Sequence, residues 1–391
     1  MAAFDGSIAQ ANVQFPIETV IEPVSGENYT KALIFMPLEK AEEYLPAVES
    51  PKAGQKIELD SSNYGKLAGG LLRTWLEPFF TSAQAAKIAA AIYDVDTTNV
   101  VPAEDESGGT KTETTPATAP LEKVYEAYKY YAYFKLGITD AEGYTALQTK
   151  LAQLCKADPL YSQLWVGTSD TQVFTKESGL VSALNGVEAD ARVVYNPDGK
   201  INAALAQLGA TLAQANATGT PVGNDTDMLA FGTIGASGAD DADGNPTNLD
   251  ATQKAALDSQ KIGYNTYVGD GTENVVTEGS MTLQGNIVGA QWVKSYIEYM
   301  CKTRTASFMT KRNKFRSNEQ YQAILLILSD AVKGFVSLGR LADFKITAPV
   351  FSDLAKSADS IVVPNAWEAA YIDKLRSVTV YGTLYVSQPS K

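Results

Sequence analysis

The chain has no histidine among its 391 residues. That removes the commonest general base and the commonest transition-metal ligand, so catalysis would have to rest on carboxylates, lysine, serine or tyrosine. Cysteine is almost as scarce. Cys155 and Cys301 lie far apart without metal-ligand spacing and read as buried, reduced thiols. No apolar run approaches the roughly 18–20 residues that a membrane span needs; the longest, AILLILSDAV, is broken by Ser329 and Asp330. The opening MAAFDGSIAQ lacks the basic-then-apolar order of a secretory leader, so the chain is expected to be made and assembled in a cytosol. A basic footprint is missing too: the net charge of −13 argues against a general nucleic-acid binder. There is no GxGxxG after a strand, no GxxxxGK[ST] and no nucleophile elbow, so neither a phosphate cradle nor a cofactor is implied.

What is present is ordinary for a globular protein: 45% hydrophobic and 20% charged residues, in a chain long enough for two or three domains. Residues 1–25 are extended in character. ANVQFPIETVIEPV, which carries Val13 and Phe15, partly alternates, and Pro16 and Pro23 suit a sheet edge or an arm. KALIFMP (31–37) reads as a buried strand, NYGKLAGGLLRTWLEPFF as a helix running to Pro78, and AAKIAAAIYDV as a segment of ambiguous period ending as a strand at Ile92–Val95. Residues 102–120 lack apolar periodicity and read as a loop or linker. LEKVYEAYKYYAYFKLG is expected to be a helix with tyrosines at 125, 128, 130, 131 and 133. Such a stripe could stack on bases, but in an acidic chain it suits helix-on-helix packing. From 143 to 235 helix and strand patterns alternate, which predicts an α/β layer with a partly parallel sheet. GASGADDADGNPTNLD (235–250) reads as a solvated linker or a weak ion site without EF-hand spacing, with Thr247 or Asn248 capping the next helix.

Two features stand out. Between Gln291 and Arg316 the chain carries Lys294, Lys302, Arg304, Lys311, Arg312, Lys314 and Arg316 against Glu298 alone. This segment is +6, so the rest of the chain is −19 for the total of −13. Such polarity is either a solvated face or a docking surface for an acidic partner. The second feature is SVTVYGTLYVS at the C-terminus. Val378, Val380, Leu384 and Val386 fall on one face of a β period. Its backbone must pair either within its own subunit or on a neighbour's sheet. The stretch GYNTYVGDGTENVVTEGSMTLQG (263–285) reads as two short strands around a glycine turn that lead into a long helix.

The C-terminal third resembles the tail-sheath proteins of contractile-tailed bacteriophages. The resemblance rests on LDATQKAALDSQKIGYNTY, VVTEGSMTLQG, QWVKSYIEYM, AILLILSDAVKGF and VTVYGTLYV, with KALIFMP and FFTSAQAAKIAAAIYDV matching more loosely near the N-terminus. SADSIVVPNAW departs from the family by lacking an arginine that many sheath proteins carry there. The resemblance implies a mixed α/β (α+β), multi-domain subunit with extended terminal β-strand arms. In that plan 1–25 is an N-terminal arm and 26–101 the N-terminal part of the inner region. Residues 102–120 are a flexible linker, 121–235 a peripheral α/β domain and 236–250 a loop. Residues 251–376 form the C-terminal inner domain and 377–391 a strand arm. It further implies a structural virion protein rather than an enzyme, polymerising in hexameric rings around a tail tube and contracting to drive it through the host envelope. The implied partners are further copies, the tube protein, and baseplate and terminator proteins, with no nucleic acid and no membrane insertion. The tube contacts would be Lys302, Arg304, Lys311, Arg312, Lys314 and Arg316. The exchanged strands would carry Val378, Val380, Leu384, Val386, Val13 and Phe15. The 263–285 element would be structural, holding the following helix at a fixed angle beside the tube. The alternatives are a cell-surface layer subunit and a histidine-free α/β enzyme.

Overall fold

The computed structural model describes residues 26–94, 102–104, 110–112, 119–138, 144–213, 234–268, 275–310, 317–354 and 367–371. After a 3-10 turn at Gly26–Thr30 come β1 (Lys31–Pro37), α1 (Leu38–Tyr44), β2 (Lys56–Leu59), α2 (Tyr64–Leu67), α3 (Gly70–Ser82) and β3 (Lys87–Tyr93). A small hairpin, β4 (Pro102–Glu104) with β5 (Thr110–Thr112), precedes α4 (Ala119–Tyr128) and β6 (Phe134–Gly137). Then follow α5 (Tyr144–Ala157), β7 (Gln163–Thr168), α6 (Gly179–Val187), β8 (Ala191–Tyr195) and α7 (Ala203–Leu212). The C-terminal third holds α8 (Ala251–Gln260), β9 (Tyr264–Tyr267), β10 (Val275–Glu278), α9 (Val288–Thr310), α10 (Asn318–Ser337), β11 (Leu341–Ile346) and β12 (Trp367–Tyr371).

The core is a six-stranded sheet in the order β2-β3-β1-β6-β7-β8, parallel except for β2 on β3. α5 and α7 both pack on β7 without forming a substantial contact with each other, so they cover opposite faces. α3 joins the α7 side and α6 the α5 side. Strands covered on both faces lose their alternation. β1 and β3 are buried along all but their first residue, which is why KIAAAIY shows no period and why the whole of Lys87–Tyr93 is strand rather than its last residues alone.

Several sequence expectations are corrected. The helix read over 63–80 is two helices, broken at Ala68–Gly69, where Gly69 N–H donates to the Tyr44 carbonyl and a side chain would meet Pro46. α3 also runs through Pro78 to Ser82. Buried Pro78, Phe79 and Phe80 offset the roughly 3 kcal/mol that an interior proline costs a helix. The tyrosine-rich segment is not one helix. α4 stops at Tyr128, and Phe134–Gly137 is a central strand, because an apolar run with no period suits a site buried on both faces. Its tyrosines do pack inside: Tyr125 stacks on Phe35 at 5.8 Å and Tyr133 on Tyr29 at 5.0 Å. Part of the 102–120 linker is paired as β4 and β5. The sheet itself continues across that segment, since β1 before it pairs with β6 after it. Neither Thr247 nor Asn248 caps α8. Asp250 does, in a capping box with Gln253, while Asn248 holds β9 through Tyr267 N–H. The strand read at DMLAFGTI falls in 214–233, apart from Ile234, and lies outside the described residues.

Candidate assembly surfaces

Within 263–285, Gly263 and the run that carries Leu283 clamp the free edge of β8, while the glycine turn expected between the two strands falls in 269–274, outside the described residues. Gly263 N–H donates to Val193 O at 2.9 Å, Tyr195 N–H to Gly263 O at 2.7 Å, and Leu283 N–H to Ala191 O at 2.9 Å. The glycine is required there, because a Cβ would lie 2.0 Å from an Nη of Arg192. Arg192 is fully buried and donates to the carbonyls of Met281 and Glu278 and to Oε1 of Gln207. Gln207 in turn donates to Tyr264 O and Asn265 Oδ1, tying α7 to β9. The element therefore welds the C-terminal third to the sheet. Burying an arginine favours acceptors for its donors, and two carbonyls of this segment together with Gln207 Oε1 take the Nη groups.

The weld leads directly into α9. Trp292, fully buried, donates from Nε1 to Tyr29 O at 3.0 Å. Tyr29 donates its hydroxyl to Leu160 O at 2.6 Å, and burial raises its pKa well above the usual tyrosine range. Tyr296 stacks on Trp292, and Phe335 of α10 meets both rings edge-on. One side of α9 is thus an aromatic anchor on the N-terminal turn, while Lys294 and Arg304 are exposed. Of the basic residues expected to act together, Arg304 is solvent-exposed on this helix and Lys302 lies on the same helix. Lys311, Arg312, Lys314 and Arg316 lie outside the described residues. The buried thiols of Cys155 and Cys301 are free, and burial pushes each up to about 12, so both stay protonated.

Beyond α10 the chain forms a two-stranded antiparallel sheet of β11 and β12, with Ile346 opposite Trp367 and a bulge between Ala342 and Lys345. Lys345 pairs with Glu368 at 2.7 Å on its exposed side. Among the described residues no further strand joins this sheet. The expected exchange residues Val378, Val380, Leu384, Val386, Val13 and Phe15 lie outside the described residues. In the 235–250 loop the Asp241 carboxylate accepts the N–H groups of Asp243 and Asn245, both at 2.9 Å. These bonds hold its pKa below the usual range and close the turn. Among the described residues no three metal-binding side chains cluster, and no helix is long and apolar enough to cross a membrane. Sequence reasoning missed Tyr29, Lys135 and Arg192. The last two were legible as lone cations inside the apolar runs FKLG and ARVVY.

The parallel-cored α/β layer, the edge clamp, the two long packed helices and the two-stranded β11–β12 sheet make a fold that is similar to chains of solved contractile sheaths. The backbone superposes on the contracted helical sheath of the anti-feeding prophage with a TM-score of 0.62 at 12% identity, covering 95% of this chain and 99% of that one. A chain of the six-fold-symmetrised baseplate of the same particle gives 0.60 at 13% identity, with 95% and 99% covered. The contracted sheath complex of an extracellular contractile injection system, PVC, gives 0.58 at 12%, with 95% and 97% covered. No family model matches the sequence, and no curated protein matches it.

Proposed function

We propose that this chain is the structural subunit of a contractile tail sheath, polymerising in hexameric rings around a tube and contracting to drive that tube through a host envelope. The observation that carries the reading is a likeness over 95% of this chain and 99% of a subunit in a contracted helical sheath. The mechanism is mechanical. An extended sheath is a metastable packing, and contraction lets subunits turn outward and bury more surface against their neighbours. A few kcal/mol per subunit, the scale of two-state packings, sums over many copies. The rigid weld at Arg192 and the aromatic anchor of α9 suit a body that must rotate without deforming.

In this reading residues 251–376 face the tube and the α/β layer lies further out, with the terminal segments exchanged between neighbours. The β11–β12 sheet is the natural acceptor for an added strand, since main-chain pairing gives affinity and alternate side chains give register. Arg304 and the basic residues after it meet an acidic tube. The other partners are baseplate and terminator proteins, and the site of action is a virion tail assembled in the host cytoplasm. Negative-stain microscopy of the purified protein tests the whole reading. Tubes or stacked rings are expected, whereas flat lattices would point to a surface layer and featureless monomers at high concentration would count against any polymer.

A further inference from the structure

Lys135 sits in β6 between Leu33 of β1 and Leu164 of β7, and it is fully buried. Its Nζ donates to Lys129 O at 2.8 Å and to Ala132 O, both in the turn between α4 and β6. Among the described residues these are its two hydrogen-bond acceptors. An ammonium brings three donors, whereas a neutral amine brings two and a lone pair; the site is built for the amine. From α5 the Cys155 thiol faces it, and Asp158 lies just past that helix. Beside Cys155, Tyr125 of α4 donates its hydroxyl to Ser162 Oγ at 2.7 Å. From the turn comes Lys129, which pairs with Glu126 at 2.9 Å and Asp158 at 3.3 Å. Asp158 is thus already engaged, and Cys155 is a neutral thiol. Burial pushes Lys135 down to about 7, against the smaller pull of Cys155 and Asp158.

The same turn supports α9. Asn28 Nδ2 donates to Tyr130 O, and Tyr133 N–H donates to Asn28 O at 2.8 Å. Tyr133 stacks on Tyr29, whose carbonyl receives Trp292. We propose that Lys135 is a proton-linked latch on this turn: it is held as a neutral amine and takes up a proton whenever the turn opens, so falling pH loosens the seat of α9. Once opened, the amine returns to water, where a lysine keeps its proton to about pH 10.4. Between about 7 and about 10 the open form binds one more proton than the closed form, and opening grows about tenfold for each unit fall in pH. Below about 7 both forms are protonated and the dependence ends.

The test uses the full chain with lysine carbon-13 at Cε, read by NMR across pH. One lysine resonance should titrate near neutrality and vanish in Lys135→Met. Hydrogen exchange supplies the second readout. Corrected for intrinsic rates, protection of the Tyr131, Tyr133 and Ile297 amides should rise about tenfold per pH unit from about 7 to about 9, and be flat in Lys135→Met. If every lysine titrates near its ordinary value, or wild-type protection at these amides is independent of pH, the latch is wrong. Both wild-type measurements decide the matter even if Lys135→Met does not fold.

Discussion

Gly209 of α7 has Phe79 of α3 against it: a Cβ would lie 2.8 Å from the Phe79 Cα and from its carbonyl oxygen. These are backbone atoms and cannot swing aside. Gly263 is confined differently, by a side-chain end: the buried guanidinium of Arg192, which its hydrogen bonds to Met281 O, Glu278 O and Gln207 Oε1 hold in place. Gly186 in α6 has nothing within 4 Å of where a Cβ would stand. Three chemically identical substitutions should therefore separate. Overpacking costs about 1–3 kcal/mol, and replacing a helical glycine returns about 0.8–1 kcal/mol. Gly263→Ala and Gly209→Ala are expected to destabilise, the first by the full overpacking cost and the second by that cost less its helix gain. Gly186→Ala should stabilise slightly. Urea midpoints measured side by side check this, and equal midpoints for all three would show that neither close approach matters.

At the scale of an element, α9 is anchored through one tryptophan. Trp292 contributes a hydrogen bond to Tyr29 O and packs on Tyr296 and Phe335. Trp292→Phe keeps a ring and loses the bond, for about 0.5–1.5 kcal/mol. Trp292→Ala also leaves a cavity, for about 3–5 kcal/mol. Thermal unfolding should rank them in that order; an alanine variant as stable as the wild type would remove the aromatic anchor from the account. The 235–250 loop has an exposed tip at Asp241–Asn245, but its flanks are stitched in, with Ser237 N–H on Asn265 O and Asn248 Oδ1 accepting from Tyr267 N–H. Limited proteolysis is expected to nick the tip early, with the two fragments remaining associated until denaturant is added. Early cutting inside α10 instead would contradict the packing described for Phe335.

Deleting 377–391 should leave a folded monomer that no longer forms polymers, as sedimentation and electron microscopy would show. Tubes of normal length from the truncated chain would end the strand-exchange proposal. Reversing Arg304, Lys311 and Arg312 should reduce co-assembly with tube while polymers of this chain alone still form. Exposed charge pairs are worth only about 0.2–1 kcal/mol each, but in the proposed polymer they would repeat with every copy, and they are screened by salt. The salt dependence of co-assembly should therefore weaken in the variant. Normal co-assembly at low salt would leave the basic cluster as a solvated face.

Local pattern by itself determined much of this protein. The 31–37 strand, the helix–strand alternation from 144 to 212 and the run of elements leading into α9 all follow from periodicity and turn residues. So does the parallel character of the sheet, because strands separated by helices need crossovers. The tertiary structure decided what burial on both faces conceals. A strand covered twice has no alternation, so β3 carried a strand signal only at its end and β6 none of its own, and KYYAYFKLG read as helix until the sheet claimed its end. Only the fold could show that β1 and β6 are neighbours across 102–120, since strand pairing links residues a hundred positions apart. Only the fold could place Arg192 against Gly263 and Lys135 under its turn, because a buried charge is tolerated by acceptors that come from distant segments rather than from its own.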